Sequence, residues 1–316
     1  MTIKHFSIFR KSFWKNRIFQ WTIAITIFIF FVYIVETRYG WDQIVSSWQY
    51  FYDRTFILIL ALIFTSYLLR GYRIYDYFEF RNVSEYGRAL RLFLIHNILN
   101  NLLPMRSGEI SFPLLMKQYF KIPIGHSVPA LFWFRILDLY TLILIGFISL
   151  FWSGVSPIIG LIIILLYLSM PGIFSYFKSG REQADIEDAS RLKRIFNKVI
   201  NAFPNNLRKT YRILLWTLLN WTSKILAFGW ILSVIAECDF STAVLGGITG
   251  EMSSVLPFHG LAGAGTYEAG VLASMIPAGV PAERALNAAV NLHLITLSVS
   301  MLSALIALPF GLKKYD

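Results

Sequence analysis

Three stretches of the chain, 18–35, 128–152 and 155–177, are long and apolar enough to cross a lipid bilayer, which takes about 20 residues of helix. Only the second holds charges, Arg135 and Asp138. In hydrocarbon every backbone N–H and C=O must find an internal partner, so these runs are helical. The rest of the composition agrees. Of 316 residues 56% are hydrophobic and 15% charged, whereas soluble domains are about a quarter charged. The first run is too long for a cleavable signal. It is followed by Glu36-Thr37-Arg38 and not by a small-residue cleavage site, so it reads as a permanent helix.

Other classes are excluded early. A single cysteine, Cys238, leaves no internal disulfide and no Cys-based metal site. The five histidines show no ligand spacing of the H-E-x-x-H kind. No metal or other cofactor is expected. The net charge of +11 fits loops facing an anionic cytoplasmic leaflet, and nucleic acid is not an expected partner. The longest polar stretch, 178–208, is too short for a catalytic domain of ordinary size.

Loop charges set the orientation. The N-terminal Lys4, Arg10, Lys11, Lys15 and Arg17, the arginine-rich segment 70–91, the stretch 178–212 and Lys313-Lys314 all read as cytoplasmic. A second helix is expected over about 56–69. Counting crossings then leaves a parity problem. The stretch 92–116 is apolar but carries His96, Asn97, Asn100, Asn101, Pro104, Arg106 and Glu109. A re-entrant hairpin from the cytoplasmic side solves both the count and the polarity. The stretch 241–276, with Glu251, His259 and Glu268, poses the same problem and takes the same answer from the outside.

The order becomes helix, helix, hairpin, helix, twice over in opposite senses. The fold expected is an all-α polytopic membrane protein, one membrane domain over 1–316. It is an inverted-topology repeat of about six full transmembrane helices plus two re-entrant helical hairpins. Residues 1–152 form one half and 153–316 the other, with 178–210 a cytoplasmic loop. The repeat is visible in residues. Asn100-Asn101-Leu102-Leu103-Pro104, then Arg106, Gly108 and Glu109, parallels Ser253-Ser254-Val255-Leu256-Pro257, then His259, Gly260 and, further on, Glu268. Pro123 parallels Pro281, and twelve residues after each stand Arg135 and His293.

The candidate site residues follow from charge at membrane depth, which costs roughly 2.5–3.5 kcal/mol per group and must be offset. Arg106 and Glu109 flank a hairpin tip, where they either pair with each other or, with Arg106, hold a phosphate. Arg135 and Asp138, three apart, share a helix face and either pair or leave Arg135 to an anionic head group. Lys224 lies mid-helix and points to a carboxylate or a phosphate. Glu251, His259 and Glu268 line the second hairpin, where a carboxylate takes a proton or a cationic group. His293 is read as an interior histidine or a proton carrier. Two amphipathic stretches, around Phe6, Phe9 and Phe13 and around Ile195, Val199, Ile200 and Phe203, are expected to lie flat on the cytoplasmic leaflet.

Asn101-x-x-Pro104-x-Arg106-x-Gly108-Glu109, Arg135-Ile136-Leu137-Asp138, and Leu256-Pro257 followed by Gly263-Ala264-Gly265-Thr266-Tyr267-Glu268 resemble the lysylphosphatidylglycerol synthase transmembrane-region family. His293 departs from the arginine expected there. In that family some members join the membrane part to a soluble domain that transfers an aminoacyl group from tRNA to phosphatidylglycerol. The membrane part is thought to flip the product. The resemblance implies a stand-alone membrane unit of the bacterial inner membrane, both termini cytoplasmic, acting as a lipid translocase. Its substrate would be a phospholipid, aminoacyl-phospholipid or polyprenyl-linked lipid. Asn101, Arg106, Glu109, Arg135, Asp138, Lys224, Glu251, His259, Glu268 and His293 would bind it. A membrane-embedded transferase on a lipid-linked substrate, and a non-catalytic partner of a lipid-modifying enzyme, are the rival readings. A homodimer is compatible with all three.

Overall fold

The computed structural model describes residues 54–307 apart from 153–155, 180–190, 205 and 255–260. Before these it describes 22, 25, 26, 29, 30, 32, 33, 35–37, 40–47 and 49. At 104–106, among others, it describes the backbone alone. All regular structure among the described residues is helical. In chain order the elements are α1 (Trp41–Ser46), α2 (Arg54–Tyr77), α3 (Val83–Leu102), a 3-10 segment Pro104–Ile110, α4 (Ser111–Phe120), α5 (Ile124–Trp152) and α6 (Pro157–Ser179). Then come α7 (Arg191–Ala202), α8 (Leu207–Ala236), α9 (Phe240–Ser253), a 3-10 turn Leu261–Gly263, α10 (Thr266–Met275) and α11 (Ala282–Ala307).

Five of these, α2, α5, α6, α8 and α11, are long and apolar enough to span a membrane. The sixth expected span, 18–35, lies largely outside the described residues. α6 buries little of itself and shows Ile158, Leu161, Leu165 and Leu168 outward, an apolar surface suited to lipid.

α2 and α8 form the centre. They run antiparallel, as successive turns show: Arg70 meets Asn220, Arg73 meets Thr217, Asp76 meets Arg212, and Glu79 meets Lys209. Around them the apolar core draws Ile59 and Ile63 of α2, Leu92 and Phe93 of α3, Ile225, Phe228 and Ile231 of α8, and Leu292 and Ile295 of α11 into one cluster. The contacts at Glu79 and Asp76 place the arginine-rich end of α2 and the start of α8 at the same face of the molecule. Lys209 donates to the exposed Glu79 carboxylate and holds it below the usual carboxylate range.

α2 is longer than the expected 56–69 and runs through to Tyr77. The arginines that follow Leu69 do not break it. Its buried face, Ile59, Ile63, Ser66, Tyr67, Arg70, Ile74, keeps helical spacing straight through them. The first residues of the segment 70–91 are therefore part of the helix, and Arg70 and Arg73 are buried among the helices.

The two polar stretches each form helix, 3-10 segment, helix. In the first, Glu85 accepts from the backbone N–H of Asn82 and of Arg81 at 2.9 Å, which starts α3 and lowers the Glu85 pKa. α3, the 3-10 segment and α4 then fold against one another at Gly108. A Cβ there would overlap the Leu99 carbonyl oxygen and Asn100 Cα. In the second, Gly265, at φ +85°, opens α10 in a conformation that side chains rarely adopt. α7, within the expected loop 178–210, packs on α5, where Val199 O accepts from Trp133 Nε1 at 2.5 Å.

Candidate functional site

A cavity of about 490 Å³ opens between α2, α3, α5, α8, α9 and α11. Its polar wall comes from spanning helices: Arg70 and Arg73 near the end of α2, Arg135 and Asp138 of α5, Lys224 of α8 and His293 of α11. Six of the sequence-selected residues line it, namely Asn101, Arg135, Asp138, Lys224, Glu251 and His293. Glu109 and Glu268 stand behind it, bonded to Arg135 and His293. Arg106 lies in the 3-10 segment but its side chain is not among the described groups, and His259 lies outside the described residues.

The charges are wired between elements. Asp138 is the hub. Its Oδ1 accepts from Arg73 Nη1 at 2.6 Å and from Trp221 Nε1 at 2.8 Å. Arg135 Nη1 stands 3.7 Å from Asp138 Oδ2, so the expected pair three residues apart is a secondary contact. The first partner of Arg135 is Glu109, at 2.5 Å. This contact joins the first hairpin to α5. Lys224 meets a carboxylate, Glu251 Oε1 at 2.7 Å, and lies over the rings of Trp221 and Phe228.

Arg70 is different. Its Nε donates to the neutral Asn220 Oδ1 at 2.6 Å, and its guanidinium lies 4.5 Å from the Trp221 ring centre. No carboxylate contacts it among the described residues, and its buried Nη2 has no hydrogen-bond partner there. Among the described side chains, the four cations Arg70, Arg73, Arg135 and Lys224 thus stand with three carboxylates, Asp138, Glu109 and Glu251. Buried charge of this kind is tolerated when paired. Of these four, Arg70 is the one with no carboxylate contact among the described residues.

Opposite lies a neutral hydrogen-bonding wall. Ser300 Oγ meets Tyr67 Oη at 2.8 Å and accepts from Asn97 and Asn101 Nδ2 at 3.2 Å each. His96 Nδ1 meets Ser111 Oγ at 2.8 Å, joining α3 to α4. The second hairpin contributes Glu268, whose Oε2 accepts from the Gly265 N–H at 2.7 Å and whose Oε1 lies 2.6 Å from His293 Nδ1.

Sequence reading missed Arg70, Arg73 and Trp221. The signal was present for the arginines, since both fall on the apolar face of α2 continued by one and two turns. Among the described residues no group of His, Cys, Asp and Glu could hold a metal ion.

A protein-family model described as "Lysylphosphatidylglycerol synthase TM region" matches residues 21–304. No curated relative matches the chain.

Proposed function

Because the chain belongs to the lysylphosphatidylglycerol synthase TM region family, we propose that it carries a lipid with a phosphate-bearing head group across the bacterial inner membrane. The head group, of a phospholipid, an aminoacyl-phospholipid or a polyprenyl-linked lipid, occupies the cavity while the acyl chains stay in lipid. The observation that carries this reading is Arg70, a buried guanidinium with a nitrogen unengaged among the described residues, facing a cavity between helices long and apolar enough to span a membrane. A phosphate oxygen is the partner such a nitrogen binds best. Arg135 and Lys224 lie beside it and are released to the same phosphate when their carboxylates turn away. Glu251 is then free to take a cationic group on the head, such as a lysyl amine.

The antiparallel contact of α2 with α8 supports the inverted repeat, since these are the second helices of the two halves. The recurrence of helix, 3-10 segment and helix before α5 and before α11 supports the two hairpins. Both termini are proposed to be cytoplasmic.

The test is lipid translocation in proteoliposomes of purified protein. Fluorescent phosphatidylglycerol, lysyl-phosphatidylglycerol and a phosphate-free diacylglycerol would be compared in wild type, Arg70→Gln and Arg70→Lys. Flipping of the phosphate-bearing lipids that falls at least about tenfold in Arg70→Gln, partly restored in Arg70→Lys, is the expected result. A folded wild type that flips none of them overturns the translocase reading. Equal flipping by all three proteins overturns the role of Arg70.

A further inference from the structure

Two glutamate–cation pairs join a hairpin to the spanning helix that follows it. Glu109 holds Arg135 at 2.5 Å, and Glu268 holds His293 at 2.6 Å. Arg135 and His293 each stand twelve residues after the proline that precedes their helix, Pro123 and Pro281. The first pair is permanently charged on its basic side, since a guanidinium does not release its proton in proteins. The second is not.

The hydrogen bonds of His293 count its protons. Nε2 lies 3.0 Å from the carbonyl oxygen of Ala262, which can only accept, so Nε2 carries hydrogen. Nδ1 lies 2.6 Å from Glu268 Oε1, a separation that needs a hydrogen between them. A neutral imidazole has one N–H, already given to Ala262. The second hydrogen therefore belongs to an imidazolium or to a protonated Glu268. Either way the pair holds one proton more than a neutral histidine beside a carboxylate. Glu268 is fixed from its other side by the Gly265 N–H, so it cannot turn to relieve a conflict without breaking the start of α10.

The other groups facing the pair do not substitute for that proton. Tyr267 of α10 lays its ring 4.6 Å from the imidazole. Glu251 of α9 is held by Lys224 of α8. α3 offers the neutral Asn97 and Asn101 further along α11, at Ser300. α1 packs at the other end of α11, where Ser47 meets Asn287.

We propose that Glu268 and His293 form a proton-binding site whose occupancy latches the second hairpin to α11. When the proton leaves, one ring nitrogen is left with a lone pair facing an acceptor at hydrogen-bond distance, either Glu268 Oε1 or the Ala262 carbonyl oxygen, both of the second hairpin. The contact opens, and 261–275 is released beside the cavity that His293 lines. The latch is present at low pH and lost as pH rises. Coupling of this proton to lipid movement rests on the translocase reading. The site itself does not.

The test uses full-length protein in nanodiscs with histidine 15N-labelled, titrated from about pH 5 to about pH 9. His293 is assigned by the signal missing in His293→Gln. The acid C=O infrared band of Glu268 is assigned likewise in Glu268→Gln. The expected result is that at least one of these signals titrates and that amide exchange of peptides covering 261–275 rises on the alkaline side. Lipid flipping by wild type then changes with pH by up to about tenfold per unit, the limit for one proton. His293→Arg, with a fixed cation like that of Arg135, loses this dependence. If neither signal moves and exchange stays flat, the proton site is overturned, whatever the flipping assay gives. If the pair titrates and no lipid moves, the site stands and the translocase reading falls.

Discussion

Asp138 accepts from Arg73 of α2 and Trp221 of α8 while lying on α5, so one carboxylate ties three spanning helices together. Its removal leaves Arg73 buried and uncompensated, which costs about 3–5 kcal/mol. Asp138→Asn is expected to lower the thermal midpoint in detergent by several degrees, read by tryptophan fluorescence. Arg70→Gln, which breaks no carboxylate contact, is expected to shift it far less. The roles of single residues were only partly legible in the sequence. That Arg135, Asp138, Lys224 and His293 needed compensation followed from their depth in apolar runs. Which partner compensated which did not follow. Asp138 takes Arg73 from 65 positions upstream in preference to Arg135 three residues away. Helix spacing sees only the neighbour on the same helix, whereas the bundle brings a better-aimed guanidinium from another.

At the level of elements, the first hairpin closes where Gly108 lies against the backbone of α3. The atoms in the way are backbone, Asn100 Cα and the Leu99 carbonyl, and cannot swing aside. Gly108→Ala is expected to cost about 1–3 kcal/mol or more and to part α4 from α3. Amide exchange of 99–120 would report it. Gly125→Ala, in α5 with nothing within 4 Å of the added methyl, serves as the neutral comparison. Element existence was well legible, because long apolar runs and polar interruptions have few solutions in lipid. Element ends were not. α2 was expected to stop at the first arginine, since charge was taken to mean loop. Tertiary pairing with Asn220, Thr217 and Asp138 keeps Arg70 and Arg73 inside the helix.

For the whole molecule, the start of α8 meets the end of α2, and α11 begins at the opposite end of the α8 span, where Arg284 meets Glu237. Single cysteines at Arg81 and Arg208, in a Cys238→Ser background, are therefore expected to react with an impermeant maleimide from one side of the membrane. A cysteine at Glu283 is expected to react from the other. Labelling of all three from the same side would contradict the transverse arrangement of α8.

The carboxylates that neutralise Arg135 and Lys224 have a further effect on the cavity. Each is a tethered rival for the place of a head-group phosphate, present at an effective concentration on the order of millimolar. A dissolved anion must outbid a competitor that never diffuses away. A lipid, confined to the same thin layer as the protein, arrives at a comparable local concentration. On the proposed reading, the internal ion pairs make the cavity discriminate by address, admitting ligands that live in the membrane over chemically similar ones that merely pass by in water.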